Sequence, residues 1–467
     1  MINNIAEIRN RTALSLSVEK QQKWEQFLTP VSVAQQAASL FSDANKPVRI
    51  LDLGSGTGIL GAILAEQAVP GSSTTAVELD PELAAISQTS LKQVCGNVKV
   101  INSSVFDISF KEKFDRVILN PPYKKINPTV IKTDGAKVKV TNLYTAFLAI
   151  AIQFLAPGGE CVAIIPRSWM NGEYFKDFRK WMLRECSLDA FAIYGSRQEH
   201  FKDMDILQEI MLLKVSKRKQ TNKIVIYDDV SPSCPLREQK SVSESLSALT
   251  LGKDCILRIR RQDGRLNDFK TLSEQGLWVS TGKLVKFRNL DILSDKKISG
   301  GYPLYWSDNQ RGLAVKHPVK CERSQWVTAA ANERNLVLPS GSYCLVNRFS
   351  AKEQPRRINA SYLASSEKFA ADNKLNYIHE GTSRKTVPLD EGVAFGLTIW
   401  LSSGIVDEWY RQISGSTQVN AADLRRLPCP SKEQLAILAD LSSSDCETNQ
   451  TSIDQTVERL FSWTKVS

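Results

Sequence analysis

A doubly wound, mostly parallel α/β domain, followed by a second domain of mixed α+β architecture, is the fold class this sequence predicts. Three observations carry it. Short apolar runs alternate with amphipathic stretches between residues 48 and 215. A glycine-rich turn comes directly after the first of those runs. From about residue 270 onward the rhythm is lost, strands shorten, and glycine and tryptophan become more frequent.

The apolar runs are VRILDLG, STTAVELD, VKVINSS, FDRVILN, ECVAIIP and LDAFAIY, each reading as a buried strand. Between them LGAILAEQ, PELAAISQTSLKQV, TNLYTAFLAIAIQFL and YFKDFRKWMLREC read as helices. On such sheets ligands bind beyond the carboxyl ends of the strands, at the point where strand order reverses. The basic stretch KVSKRKQTNK at 214–223 reads as a boundary or exposed turn, and VSPSCPLREQKSVSESLS at 230–247 as a connector. The domains are therefore expected at 1–225 and 226–467.

The composition sets bounds. With 467 residues, 42% hydrophobic and 24% charged, globular cores are expected throughout. The first twenty residues lack the apolar core of a signal peptide, and no apolar run is long enough to span a bilayer. A soluble cytoplasmic protein follows. The nine cysteines are scattered with no Cys-x-x-Cys pair, which suits reduced thiols, and three distant histidines argue against a zinc site. The formal net charge of +10 suits a polyanionic partner, and the excess is divided roughly evenly between the two halves.

Four motifs sit at expected strand ends. In LDLGSGTGIL (51–60) the strand holding Asp52 ends, and Gly54, Gly56 and Gly58 let the backbone turn tightly with no β-carbon to block a ligand. A helix N-terminus follows and attracts polar ligand groups. Gly56-x-Gly58-x-x-Gly61 also fits the dinucleotide fingerprint, although late in phase, so this loop leaves NAD and S-adenosylmethionine (SAM) both open. Glu78, ending the next strand, is placed to bond both ribose hydroxyls of either cofactor, whereas Asp80 before Pro81 reads as a helix cap. Phe106 and Asp107 are expected to end a third strand, with Asp107 accepting from the cofactor adenine's amine and an aromatic packing on its ring.

The fourth motif decides the chemistry. A buried strand runs straight into Asn120-Pro121-Pro122-Tyr123, a rigid turn that no parallel strand would otherwise require. The Asn120 side-chain oxygen and the Pro121 carbonyl can each accept a hydrogen bond from an NH2 group. Two acceptors draw that nitrogen toward tetrahedral geometry and free its lone pair to attack a methyl in line. Tyr123 offers a flat face on which an extruded base can stack. No covalent intermediate is needed, in keeping with the lack of a Cys–His pair.

Asn-Pro-Pro-Tyr after a glycine loop of this kind resembles the signature of amino-group methyltransferases, which act on adenine N6, cytosine N4, guanine N2 or a glutamine amide. Upstream, Phe27, Thr29 and Pro30 in QFLTPVSVAQQAASLF resemble the segment that, in gamma-class N6-adenine DNA methyltransferases, closes over the methionine end of SAM. The motif order is similar to the gamma class. TNLYTAFLAIAIQFLAPGGECVAIIPRSWMNGEYFKDFR resembles the family's central segment, and HFKDMDILQEIMLL the segment whose aromatic packs near the target base, a place that falls to Phe201. LWVSTGKLVKFRN, YCLVNRFSAKEQPRRI and GSTQVNAADLRRLPCP resemble recognition domains of type II restriction–modification methyltransferases.

The resemblance implies a bacterial SAM-dependent methyltransferase domain (1–225) and a DNA target-recognition domain (226–467). It implies methylation of adenine N6 in double-stranded DNA by base flipping, with no metal. Thr29, Pro30, Asp52, Gly54, Gly56, Gly58, Glu78, Phe106 and Asp107 would hold the cofactor. Asn120, Pro121, Pro122 and Tyr123 would be catalytic, and Tyr123 and Phe201 would meet the base. A cognate restriction endonuclease would be a separate protein, since no nuclease signature stands after residue 215. Cytosine N4, RNA and glutamine remain alternative substrates, and a non-catalytic DNA-binding role the alternative of another class. The lysine-rich stretch KKINPTVIKTDGAKVKVT (124–141), lacking apolar periodicity, is expected to be a mobile loop that orders on DNA.

Overall fold

A computed structural model of the chain describes residues 1–15, 28–133, 135–195, 209–443 and 449–462. Phe27 and Phe201 lie outside the described residues. The chain divides into two compact units, Met1–Arg261 and Gln262–Ser467.

In the first unit, helices α1 (Ile2–Ser15) and α2 (Val31–Ser39) precede strand β1 (Arg49–Leu53). Ile50, Leu51 and Leu53 of β1 are fully buried, as befits a strand covered on both faces. Helix α3 (Ile59–Glu66), β2 (Ser73–Glu78), α4 (Pro81–Lys92), β3 (Asn97–Asn102) and β4 (Phe114–Leu119) complete the first half. The Asp80 carboxylate accepts from the backbone amides of Glu82 and Leu83 at 2.8 and 3.3 Å, and Pro81 opens the helix.

Next come an antiparallel hairpin, β5 (Lys125–Thr133) and β6 (Ala136–Asn142), helix α5 (Leu143–Phe154), β7 (Leu155–Pro166), α6 (Lys176–Glu185), β8 (Ser187–Tyr194), β9 (Ile210–Ser216), β10 (Ile224–Val230) and the short β11 (Val242–Glu244). The main sheet has nine strands in the order β11-β10-β8-β9-β7-β4-β1-β2-β3. Pairs β3–β2, β2–β1, β1–β4, β4–β7 and β8–β10 are parallel, while β9 runs antiparallel to both β7 and β8. This is the doubly wound, mostly parallel α/β architecture expected from the sequence. Strand order reverses between β1 and β4, so the loops leaving these two strands flank one crevice.

Three sequence expectations change here. The division between units comes after Arg261 and not at 225/226, because β10 crosses that line, pairs with β8, and buries Ile224, Ile226 and Val230 in the sheet's core. The stretch 214–223 accordingly holds the end of β9 and a turn inside one sheet. The segment expected to be a loop at 124–141 is the β5–β6 hairpin, whose inward side chains Ile131, Val138 and Val140 join the main core. Finally, β3 ends at Asn102, and Phe106 and Asp107 stand in the turn that follows it.

The second unit is mixed in architecture. A seven-stranded sheet is built around the antiparallel neighbours Leu277–Thr281, Leu375–Gly381, Gly341–Asn347 and Ala360–Ser365. A five-stranded sheet includes Tyr302–Tyr305 and Phe369–Ala371. Helices Glu391–Leu401, Gly404–Ile413, Lys432–Ser443 and Gln450–Leu460 follow. One apolar cluster joins side chains of both sheets, around Tyr343 and Tyr377 of the first and Phe369 of the second, and another gathers around Trp306, Leu304 and Val327.

Candidate active site

Two loops leave the sheet at the reversal point. The first, after β1, turns through Gly54, Gly56 and Gly58 with φ of 73°, 54° and 82°, a region where a side chain is strained. A β-carbon on Gly58 would lie 2.9 Å from Ser87 Oγ and 3.1 Å from Ser87 Cα of α4, so glycine is also required for space. Strand β2 fixes the loop. The amides of Gly54 and Ser55 donate to the Val77 carbonyl at 2.8 and 3.0 Å, and the Gly56 amide donates to Glu78 Oε2 at 2.7 Å.

The two acids that flank this loop, Asp52 in β1 and Glu78 at the end of β2, are both buried. Asp52 Oδ2 accepts from the Gly61 amide at 2.8 Å, a contact made close by the glycine, while Oδ1 is buried without a hydrogen-bond partner. Burial pushes the Asp52 carboxyl up to about 7, against the Gly61 amide and with help from the neighbouring Glu78 charge. Glu78 accepts from Gly56 and, at 3.0 Å, from the Asp80 amide, yet burial still raises its pKa above the ordinary range.

Phe106 is 47% exposed and meets the edge of Phe147 with ring centroids 5.8 Å apart. Phe147 in turn lies against Gly54, whose β-carbon position is 3.4 Å from its ring. An apolar wall therefore borders the glycine loop. Asp107 is exposed in the same turn, and its side chain bonds to none of the other candidates among the described residues.

The second loop follows β4, so Asn120 stands directly at that strand's carboxyl end. Its carboxamide is held from both sides. Asn120 Nδ2 donates to Thr29 Oγ1 at 2.9 Å, and Asn120 Oδ1 accepts from the Tyr123 hydroxyl at 3.0 Å. The Tyr123 hydroxyl is also 3.3 Å from the Ile164 carbonyl of β7. Tyr123 is 8% exposed and its ring meets Tyr144 edge-on at 6.3 Å, so the flat face expected for stacking is turned into the protein here. Packing against Tyr144 and the two oxygen partners account for that pose. Pro121 is buried and Pro122 half-buried.

The segment Leu28–Pro30 joins the two loops. Leu28 packs against Gly56, Thr29 bonds to Asn120, and Pro30 caps α2. Arg9 of α1 donates to the Leu28 carbonyl, holding the segment from behind. The structure thus brings together Thr29, Asp52, the three glycines, Glu78 and Asn120–Tyr123. Phe106 joins them through Phe147, a residue that sequence reading places only within a buried helix. Leu28 and Arg9 carry no sequence signal as supports, since only the folded contacts reveal them, whereas Gly61 is the last glycine of the fingerprint read in the sequence and here meets Asp52.

In the second unit the basic stretches separate into two kinds. Arg357 is buried and bonded to Ser350 and Ser414, and Arg425 donates to the Val279 carbonyl with its guanidinium 4.2 Å from the Trp278 ring centroid. These arginines are engaged within the fold. Lys286, Phe287 and Arg288 are all exposed, Phe287 at 74%. Among the described residues no helix is long and apolar enough to cross a membrane.

The residues present fit SAM on structural grounds: a glycine loop held in left-handed conformations, two buried acids, one with an unpartnered oxygen, and an exposed aromatic beside the loop. Known proteins agree on the class. The family model for Eco57I restriction-modification methylase matches residues 72–201. The chain is 33% identical to Type II methyltransferase M.PstI of Providencia stuartii, with 98% of this chain and 96% of that protein covered. It is 29% identical to Type II methyltransferase M.BsuBI of Bacillus subtilis, covering 97% of each. Among solved structures, that of the DrdV–DNA complex superposes over 95% of this chain and 59% of that one, with a TM-score of 0.56 and 12% identity, a likeness of fold. With near-complete coverage by M.PstI at this identity, the chain belongs to the family of type II restriction–modification methyltransferases.

Proposed function

We propose that this enzyme transfers a methyl group from SAM to the N6 amino group of adenine in double-stranded DNA, as the modification enzyme of a restriction–modification system. The observation that carries the proposal is the Asn120–Tyr123 turn, standing at the sheet's reversal point beside the glycine loop, with its carboxamide oriented by Thr29. SAM would supply an electrophilic methyl on its sulfonium. The chain's own residues do the rest.

Gly54, Gly56 and Gly58 would let the cofactor lie against bare backbone. Glu78 would exchange its contacts to Gly56 and Asp80 for the ribose hydroxyls. Asp52, Thr29 and Pro30 would line the methionine side, and Phe106 would pack on the adenine, with Asp107 accepting from its amine. At the reacting end, Asn120 Oδ1 and the Pro121 carbonyl would accept the two N–H groups of the target amine. Thr29 Oγ1, accepting from Asn120 Nδ2, would hold the carboxamide in place with its oxygen toward the amine. The amine is hidden in duplex DNA, so the base must be extruded. Tyr123 would then release Asn120 Oδ1, turn its ring outward and stack on the base, with Pro122 stiffening the turn. Phe201 is proposed as a second aromatic at the base.

Residues 262–467 are proposed as the target-recognition part, with Lys286, Phe287 and Arg288 as exposed candidates for contact. The cognate endonuclease is proposed to be a separate protein. The test is methyl transfer from labelled SAM to unmethylated duplex DNA. Asn120→Ala is expected to lose at least about 100-fold in rate, on the scale of removing a transition-state hydrogen-bonding group, while SAM still raises its melting temperature. Undiminished transfer by Asn120→Ala would sink the assignment.

A further inference from the structure

The β5–β6 hairpin begins immediately after the Asn120–Tyr123 turn, and its base is closed by the Leu143 amide donating to the Lys124 carbonyl at 2.9 Å. Its two faces differ sharply. On the inner face Ile131 pairs with Val138, Val140 stands next along, and all three are buried in the core. On the outer face Lys132 stands directly opposite Lys137, and Val130 opposite Lys139. All four are exposed, Val130 at 54%.

Like charges placed directly across a strand pair destabilise it. The exposed positions of both strands carry no carboxylate, and among the described residues none of the three lysines forms an ion pair. Within the described residues nothing offsets this repulsion. A polyanion would remove the repulsion. Cross-strand neighbours lie roughly 5 Å apart and alternate residues roughly 7 Å, a spacing on the scale of successive phosphates in duplex DNA. Val130 adds an apolar contact suited to sugar.

We propose that the outer face of this hairpin is a docking surface for the phosphate backbone of duplex DNA, contributed by the methyltransferase unit itself. The inference rests on the DNA reading above and extends it to named residues. Because the inner face is anchored in the core, the surface exists before DNA arrives, on the hairpin that continues from the turn that receives the extruded base.

The test is the salt dependence of binding of the full-length protein to a fluorescein-labelled duplex. Removing one lysine–phosphate pairing should reduce the slope of log K against log salt by about 0.9. The triple variant Lys132→Gln/Lys137→Gln/Lys139→Gln is expected to lower the slope by about 2 to 3. Its thermal stabilisation by SAM should match that of the wild type, and the corresponding triple arginine variant should restore the slope. An unchanged slope in the glutamine variant, or no restoration by arginine, overturns the hairpin assignment while leaving the DNA reading intact. A wild type that shows no salt-dependent binding to the duplex overturns both.

Discussion

Thr29 and Tyr123 hold the two sides of the Asn120 carboxamide, and that arrangement makes a specific kinetic demand. Thr29 Oγ1 accepts from the NH2 side, and the oxygen faces Tyr123 and, by the proposed mechanism, the target amine. Thr29→Val removes the acceptor without changing shape much. Loss of a hydrogen bond of about 1 to 1.5 kcal/mol predicts a drop of roughly tenfold in kcat. Thr29→Ser should retain most of the rate, and a fall in SAM affinity with no change in kcat would contradict the positioning role. Asp52 makes a different demand. Its folded-state pKa, near 7 through burial, lies above its unfolded value. Between about pH 4 and pH 7 the unfolded chain has released this proton while the folded chain keeps it, so stability falls as pH rises through that window. Asp52→Asn should flatten the fall in denaturant titrations of the SAM-free protein. Parallel curves for the two proteins would refute it. At this scale the sequence is informative where residues punctuate strand ends, as at Gly54, Glu78 and Asn120. It is silent on Thr29 meeting Asn120, because a contact between residues so far apart in the chain exists only once the sheet has formed. The inward pose of Tyr123 is equally hidden, since it depends on Tyr144 and β7 packing around it.

Among the elements, the glycine loop and the hairpin behave in opposite ways. The loop has no freedom to vary. Gly58→Ala meets both a left-handed φ and the backbone of α4, and a loss of about 1 to 3 kcal/mol in unfolding free energy is expected from conformational strain alone. Chemical denaturation checks this, and an alanine variant as stable as the wild type would mean that the loop is less constrained than its contacts imply. The hairpin reads from sequence as a loop because its lysines mask its pattern. The signal is nonetheless present. Asp134-Gly135 is followed by alternating Val138, Lys139 and Val140, and Gly135 has φ of 79°. Strands β9 and β10 escape the sequence pattern for another reason. Both follow stretches dominated by charge, and β9 runs antiparallel to its neighbours, which breaks the βαβ rhythm that reveals the others.

For the whole molecule, the arrangement that matters is a reversal point in one sheet carrying two loops of different duty. The doubly wound order of the first unit is readable from alternating strands and helices, since parallel strands buried on both faces leave long apolar runs. The limit of that unit is not, because β10 and β11 form the sheet's edge as an antiparallel pair, outside the strand–helix alternation. The architecture of the second unit is legible only as mixed, its strands being short and its contacts distant in sequence. The central claim is that Asn120–Tyr123 methylates the amino group of adenine in duplex DNA. The measurement that tests it most directly is mass spectrometry of nucleosides from unmethylated duplex DNA incubated with SAM and either wild type or Asn120→Ala. N6-methyladenine from the wild type and not from the variant is the predicted result. N4-methylcytosine in its place, or equal N6-methyladenine from both proteins, would contradict the account.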